Sequence, residues 1–143
     1  MTEKKFEFIN HTADIGIRVY GKTLEELFIN SAFGMYNVIC EKFKKILPKQ
    51  KYKNTITSFD NESLIISSLN DLLYQTFVNK ILFCNFEVKN FQSDHLITFV
   101  CYGEEYNKNK HGHLIELKSV TFHNIKIKKN SYGLFETTII FDT

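Results

Sequence analysis

Apolar residues along this chain follow two different periods. Across residues 24–39 and 64–77 they recur every three or four positions, which is typical of a helix with one buried face. Elsewhere apolar residues alternate with other residues over short runs, as in half-buried strands. The strand-like runs cover residues 6–8, 15–19, 52–59, 82–91, 95–102, 114–122, 125–128 and 134–141.

Two helices and seven or eight strands predict an α+β fold. We expect a single domain over residues 1–143, since a chain of this length forms one core and leaves little room for a second. Consecutive strands in the second half favour hairpins over crossovers. The prediction is therefore one mostly antiparallel sheet with both helices packed on one face.

Local signals mark where the helices begin and end. Thr23 and Glu26 have the spacing of a capping box, in which the Thr23 hydroxyl accepts from the Glu26 amide and the carboxylate reaches back to the Thr23 amide. This helix should end near Cys40, and Asp60 or Asn61 can cap the second helix.

Composition narrows the class of protein. Hydrophobic residues make up 43% of the chain, which provides a core and excludes a disordered chain. A formal net charge of +2 is too small to indicate a nucleic-acid-binding protein, and the lysines of residues 42–53 are interpreted as solvated. Arg18 is the single arginine, which suggests that a planar guanidinium is needed at that position.

Cysteine usage and hydropathy predict a cytoplasmic protein. Cys40, Cys84 and Cys101 are far apart and odd in number, which favours reduced thiols over a disulfide framework. We see neither a signal peptide nor a run long enough to span a membrane, so no membrane partner is expected.

Two aspartates near opposite ends of the chain are the main candidates for a site. Asp14 closes a short polar link, and Asp142 follows the apolar run of a terminal strand. With an oxygen of Thr143 they would form an all-oxygen set that suits Ca²⁺ or Mg²⁺. Two plainer interpretations stay open: a turn in which Asp14 bonds its own backbone, and a frayed terminus.

The remaining candidates are basic residues and histidines. Lys118 is interpreted either as an ordinary solvated lysine or as a point charge that meets a phosphate or carboxylate. His123 is a candidate hydrogen-bonding or acid–base group, although a lone histidine at a strand end is usually neither. His111 and His113 resemble a metal pair but lack a third ligand nearby. The familiar enzyme signatures are missing, so we assign no catalytic residue.

Several segments together resemble the archease family over almost the whole length. The segment near the start of the chain carries the most specific resemblance. A segment in the middle of the chain lies in the second predicted helix, and the last segment is a tail that contains Asp142. The segments are FINHTADIGIRVYGKTLEELF at 8–28, SLNDLLY at 68–74, ELKSVTFH at 116–123 and IIFDT at 139–143. Ser119 and Phe122 depart mildly from the family's pattern, and Asn107 stands where an Asp is expected.

The resemblance implies a role, a fold and a site. Archeases are small α+β proteins that assist RtcB-type ligases, which join RNA ends in tRNA splicing, by promoting guanylylation and multiple turnover. The family resemblance implies a divalent-cation site (Ca, Mg or Mn) at Asp14, Asp142 and Thr143. It also implies a functional role in ligase activation for Lys118 beside the two aspartates, with His11, Arg18 and His123 as supporting residues. The implied partner is the ligase, and RNA would be contacted indirectly through it.

Two rival functions remain beside ligase activation. A small metal-dependent phosphohydrolase could use the same carboxylates, but it would need more acidic ligands for a two-metal arrangement. A general RNA- or protein-binding chaperone would bind broadly and without the aspartates.

Overall fold

The computed structural model describes residues 4–10, 14–121 and 125–143, with only the backbone described for Asn10. Strands and helices alternate through the first half, and strands dominate the second half. The strands are β1 (Phe6–Asn10), β2 (Ile15–Gly21), β3 (Gln50–Thr57), β4 (Ile81–Gln92), β5 (Leu96–Glu105), β6 (Ser119–Val120), β7 (Lys128–Lys129) and β8 (Phe135–Asp142). The helices are α1 (Leu24–Ile39), α2 (Asn61–Phe77) and the single-turn α3 (Lys108–His111), and a 3₁₀ turn covers Phe43–Lys45.

The strands form two antiparallel sheets. The first has the order β1-β2-β8-β6, with β7 also paired to β8, and the second has the order β3-β5-β4. The α+β class and the antiparallel pairing are confirmed, but the prediction of one sheet is wrong. Alternation fixes which face of a strand is buried and leaves its pairing partners open, so it could not show that β8 inserts between β2 and β6.

The helices lie between the two sheets. On one side of α1, Gly34 allows the side chains of Ile17 and Phe6 to approach the helix closely. On the other side, Tyr36 stacks on Phe86 of β4 with ring centroids 5.6 Å apart. Both helices therefore pack on one face of the first sheet, as expected, and the second sheet covers their other side. Ten residues of α1 are buried because the helix is covered from both sides.

The predicted helix boundaries are confirmed, with one difference in a cap. Thr23 Oγ1 accepts from the Glu26 amide at 3.1 Å, and Asp60 Oδ1 accepts from the Ser63 amide at 2.7 Å. The Glu26 carboxylate accepts from the Lys22 amide at 3.0 Å instead of reaching the Thr23 amide. The cap of α1 therefore also fixes the residue before Thr23.

The strand-like run 114–122 is shorter in the structure than its alternation predicts. Among its described residues, 114–121, only Ser119 and Val120 pair as β6, while Leu114 makes an isolated bridge to Cys40. Leu117 is buried without belonging to a strand. The alternation of apolar residues in this segment therefore reflects side-chain packing against the core more than pairing with another strand. Within the described ranges, the helices are all too short or too polar to cross a bilayer.

Candidate functional site

One end of the first sheet gathers residues from distant parts of the chain. The β2–β8 register ends with Ile15 opposite Phe141, so Asp14 and Asp142 are the next residues of the two chain segments at this end of the sheet. On the other side of β8, Ser119 lies opposite Asp142, and the Lys118 amide donates to the Asp142 carbonyl at 2.8 Å. These residues therefore lie at one end of the first sheet, and we call them the acidic end: Asp14, Lys118, Asp142 and Thr143.

The alternation of β8 determines where the Asp142 side chain lies. Ile139 and Phe141 are fully buried, so Asp142 belongs to the opposite, open face of the sheet, where Ile140 is covered and Asp142 is exposed. Its carboxylate is exposed, and its Oδ2 accepts from Ser119 Oγ at 3.3 Å. The strand pairing and this hydrogen bond hold a solvent-accessible carboxylate in a defined position.

Lys118 is positioned by a short strand that α2 holds in place. Asn70 of α2 accepts from the Val120 amide at 2.8 Å and donates to the Val120 carbonyl at 3.3 Å. Leu117 and Val120 are buried, while Lys118 between them is exposed. The lysine backbone is thus fixed next to Asp142, and its ammonium group is free to meet an anion in solvent.

Not every predicted site residue belongs to the acidic end. Arg18 lies four residues along β2 from Asp14, opposite Thr138, and its Nη1 donates to Glu7 Oε1 at 3.2 Å. Arg18 therefore lies away from the acidic end, and a supporting role there would have to act through another residue or a ligand. His11 and His123 lie outside the described residues.

Two residues that position this end were not identified from the sequence. Asn70 was noted only as part of the segment at 68–74 that resembles the family, and Ser119 only as a departure from the family pattern. The signal for Asn70 was a polar pair, Asn70 and Asp71, inside an otherwise apolar run. Asp71 proves to be engaged as well, accepting from Tyr52 at 2.7 Å and from Asn54 at 3.0 Å.

The oxygen atoms of the acidic end are of the kind that bind a hard cation. Few of these ligands would be charged. Among residues 4–10, 14–121 and 125–143, no group of three or more His, Cys, Asp and Glu side chains could hold a metal ion. Asp14 and Asp142 would provide two carboxylates, and Thr143 would add a neutral main-chain oxygen. Such a set suits Ca²⁺ or Mg²⁺, which accept carbonyl and water oxygens as further ligands.

Comparisons with known proteins agree on one family. Residues 6–143 match the model of the archease protein family. The chain is 35% identical to the protein archease of Methanosarcina mazei, over 91% of this chain and 90% of that protein. It is 36% identical to the protein archease of Pyrococcus furiosus, over 97% of this chain and 99% of that protein.

Two solved structures share the fold. The solution structure of protein 1598 from Methanobacterium thermoautotrophicum superposes with a TM-score of 0.80 at 33% identity, covering 97% of this chain and 99% of that one. The crystal structure of a Thermotoga maritima archease, described as a possible chaperone, gives a TM-score of 0.61 at 19% identity. It covers 100% of this chain and 98% of that chain, and at this identity it supports the fold alone.

Proposed function

This chain belongs to the archease family, and on that premise we propose that it is an accessory protein that activates an RtcB-type RNA ligase. In this proposal it promotes guanylylation and multiple turnover of the ligase and carries out no complete reaction itself. The observation that supports it best is that the β2–β8 register ends with Ile15 opposite Phe141, so Asp14 and Asp142 follow at the same end of the sheet. Two carboxylates at neighbouring strand ends would repel each other, and a bound cation would offset that cost.

The acidic end would hold a divalent cation through Asp14, Asp142 and Thr143. When bound, the cation would neutralise charge on phosphate oxygens. Asp142 presents a carboxylate whose direction Ser119 limits through its hydrogen bond. A preoriented oxygen ligand needs less ordering when the cation arrives, which favours binding.

Lys118 would contribute a positive charge beside the two carboxylates. Its backbone is tied to Asp142, so the distance between its ammonium and the carboxylates varies only with the lysine side chain. A flexible point charge of this kind suits a phosphate whose position changes during a reaction. Lys118 would therefore contact the nucleotide in the ligase, while the ligase mediates the contact of the acidic end with RNA.

The proposed setting is the cytoplasm. Cys40, Cys84 and Cys101 are all free, and burial raises the pKa of each thiol. Thiols of raised pKa are mostly protonated and unreactive near neutral pH, as expected of structural cysteines in a reducing compartment.

The test measures guanylylation and multiple-turnover RNA joining by the RtcB-type ligase of the same source, with and without this protein. We expect the wild type to stimulate both, and Asp14→Asn and Asp142→Asn each to lose most of the stimulation. Glu25→Ala is the matched control, because Glu25 is an exposed carboxylate in the first turn of α1, beyond the opposite end of β2. Calorimetric titration of each variant with CaCl₂ and MgCl₂ tests the cation site directly.

The outcomes separate the rival functions. Stimulation by wild type and Glu25→Ala but not by the aspartate variants, all equally folded, supports the proposal. Phosphate-ester hydrolysis by the isolated protein that disappears in Asp14→Asn would favour a phosphohydrolase. Absence of stimulation with a competent ligase would contradict the proposal, and binding that survives loss of both aspartates would then favour a chaperone.

A further inference from the structure

The open face of the first sheet carries the chain's single arginine, which the acidic end does not use. Arg18 lies between Glu7 of β1 and Thr138 of β8 in the strand register. Arg18 Nη1 donates to Glu7 Oε1 at 3.2 Å, and the Tyr20 hydroxyl donates to the same oxygen at 2.9 Å. Glu7 Oε2 accepts from Lys4 at 2.9 Å, so both oxygens of this carboxylate are engaged with its neighbours.

A groove beside Arg18 has a positive excess. Its volume is about 640 Å³, within the range of roughly 300–1,000 Å³ that is typical of small-molecule sites. Its lining residues are three cations, one carboxylate and two hydroxyl residues: Arg18, Lys126, Lys128, Glu136, Thr137 and Thr138. Lys126 and Lys128 are exposed, and Glu136 lies opposite Lys128 in the β7–β8 pair. Glu136, together with Glu7 that pairs with Arg18, therefore offsets part of the charge of the three cations and leaves a positive excess.

We propose that this groove binds the phosphate group of a nucleotide, either free or within an RNA strand. A guanidinium has five N–H donors in a rigid fork that matches two phosphate oxygens, and Glu7 takes up only part of that capacity. Lys126 and Lys128 add two charges, and Thr138 adds a hydroxyl donor opposite Arg18. The groove is also large enough for a nucleoside attached to the phosphate.

The Arg18 guanidinium is held in a fixed position, which favours a role in ligand binding over that of a simple surface ion pair. An exposed pair between two strands contributes little to stability and serves equally well with lysine. Here the guanidinium is aligned by Glu7, and Glu7 is itself held by Tyr20 and Lys4. Alignment before binding strengthens recognition of an oxyanion because less freedom is lost when it binds.

This site is separate from the acidic end and does not depend on the proposed function. Arg18 and Asp14 are four residues apart on one strand, which corresponds to about 13 Å. Both positions belong to the open face by strand alternation. A strand of RNA held in the groove could therefore extend toward the acidic end, whereas a free nucleotide would occupy the groove alone.

The experiment uses the full chain without any ligase. Binding of adenosine monophosphate, a ten-nucleotide single-stranded RNA and a ten-residue glutamate peptide is followed by amide chemical shifts and calorimetry at low salt. We expect the nucleotide or the RNA to shift the amides of Arg18, Lys128 and Thr138. Arg18→Lys keeps a charge near Glu7 but removes the fork, and it should weaken binding about tenfold without lowering the thermal midpoint.

Two further variants keep the result interpretable. Lys128→Ala should weaken binding several-fold, whereas Lys89→Ala should leave it unchanged, because Lys89 pairs with Glu87 on the other sheet. Equal binding of RNA and mononucleotide per phosphate would identify a nucleotide site, and preference for RNA a strand site. The inference is overturned if neither ligand binds, if Arg18→Lys binds as the wild type does, if Lys89→Ala weakens binding as much as Lys128→Ala, or if the acidic peptide binds in preference.

Discussion

At the scale of single residues, the most strongly perturbed carboxylate lies away from the acidic end. Glu104 is buried at the end of β5, and its oxygens accept from Lys110 at 2.7 Å, the Leu47 amide at 2.9 Å and His111 Nε2 at 3.0 Å. Burial alone would raise the pKa of Glu104, but these donors outweigh it and lower the pKa to about 2. The charged form is therefore strongly preferred in the folded protein.

His111 completes this cluster as a neutral donor. The Asn107 amide donates to His111 Nδ1 at 3.0 Å, so that nitrogen carries no proton and Nε2 donates to Glu104. Both ring nitrogens are occupied within the protein. His111 is therefore a buried structural residue, and His113, which is exposed, lacks it as a metal-binding partner.

The Glu104 cluster predicts a specific dependence of stability on pH. Because the folded pKa is lower than the usual value of 4.5, the stabilisation is present above about pH 4.5 and is lost as the pH falls toward 2. Glu104→Gln should lower the free energy of unfolding at pH 7 by roughly 1–3 kcal/mol and flatten its fall below pH 5. Urea unfolding at a series of pH values measures both effects.

The neighbouring Glu105 provides the control for this prediction. Glu105 is exposed, so Glu105→Gln should change neither the stability nor its pH profile appreciably. If Glu104→Gln retains the wild-type slope between pH 5 and 2, the acid sensitivity arises elsewhere and the role given to Glu104 is wrong.

At the scale of elements, the two-residue strand β6 depends on α2. Its two pairs with β8 are too few to hold a strand in isolation, since even a full hairpin is marginal in water. The two hydrogen bonds between Asn70 and Val120 supply the missing support. The position of Lys118 therefore depends on a helix that is remote in sequence.

Asn70→Ala is expected to loosen β6 without unfolding the domain. Losing the Asn70 side chain leaves the Val120 amide and carbonyl without these partners, which should cost about 1–3 kcal/mol. Hydrogen–deuterium exchange should rise in a peptide covering residues 115–121 and stay unchanged in β4 and β5. Asn79→Ala, at an exposed position after α2, serves as the control. Unchanged exchange in residues 115–121 would show that β8 alone holds β6.

At the scale of the whole molecule, the sequence predicted the local elements better than their arrangement. The caps at Thr23 and Asp60 were predictable because each depends on residues within three positions. The division into two sheets was not, because it depends on β8 pairing between β2 and β6 across more than a hundred residues. The same long-range pairing creates the acidic end.

The sequence therefore indicated which residues belong to the candidate site, but it did not indicate how they are arranged in space. Asp14 and Asp142 were candidates from their local contexts and from the family resemblance, but spacing carries no information on whether residues at opposite ends of a chain meet. The register of Ile15 with Phe141 supplies what the spacing could not. Asn70 and Ser119 were missed because their role is to orient neighbours, which leaves little trace in a local pattern.

In the proposed function, Asp14 and Asp142 act as one unit in activating the ligase. The measurement that tests it most directly is a double-mutant cycle on ligase guanylylation, using Asp14→Asn, Asp142→Asn and the double variant. Two residues that share one ligand are not additive, so the double variant should be no more impaired than the worse single variant. Impairments that multiply would show that the two aspartates act independently, and the single acidic site would be contradicted.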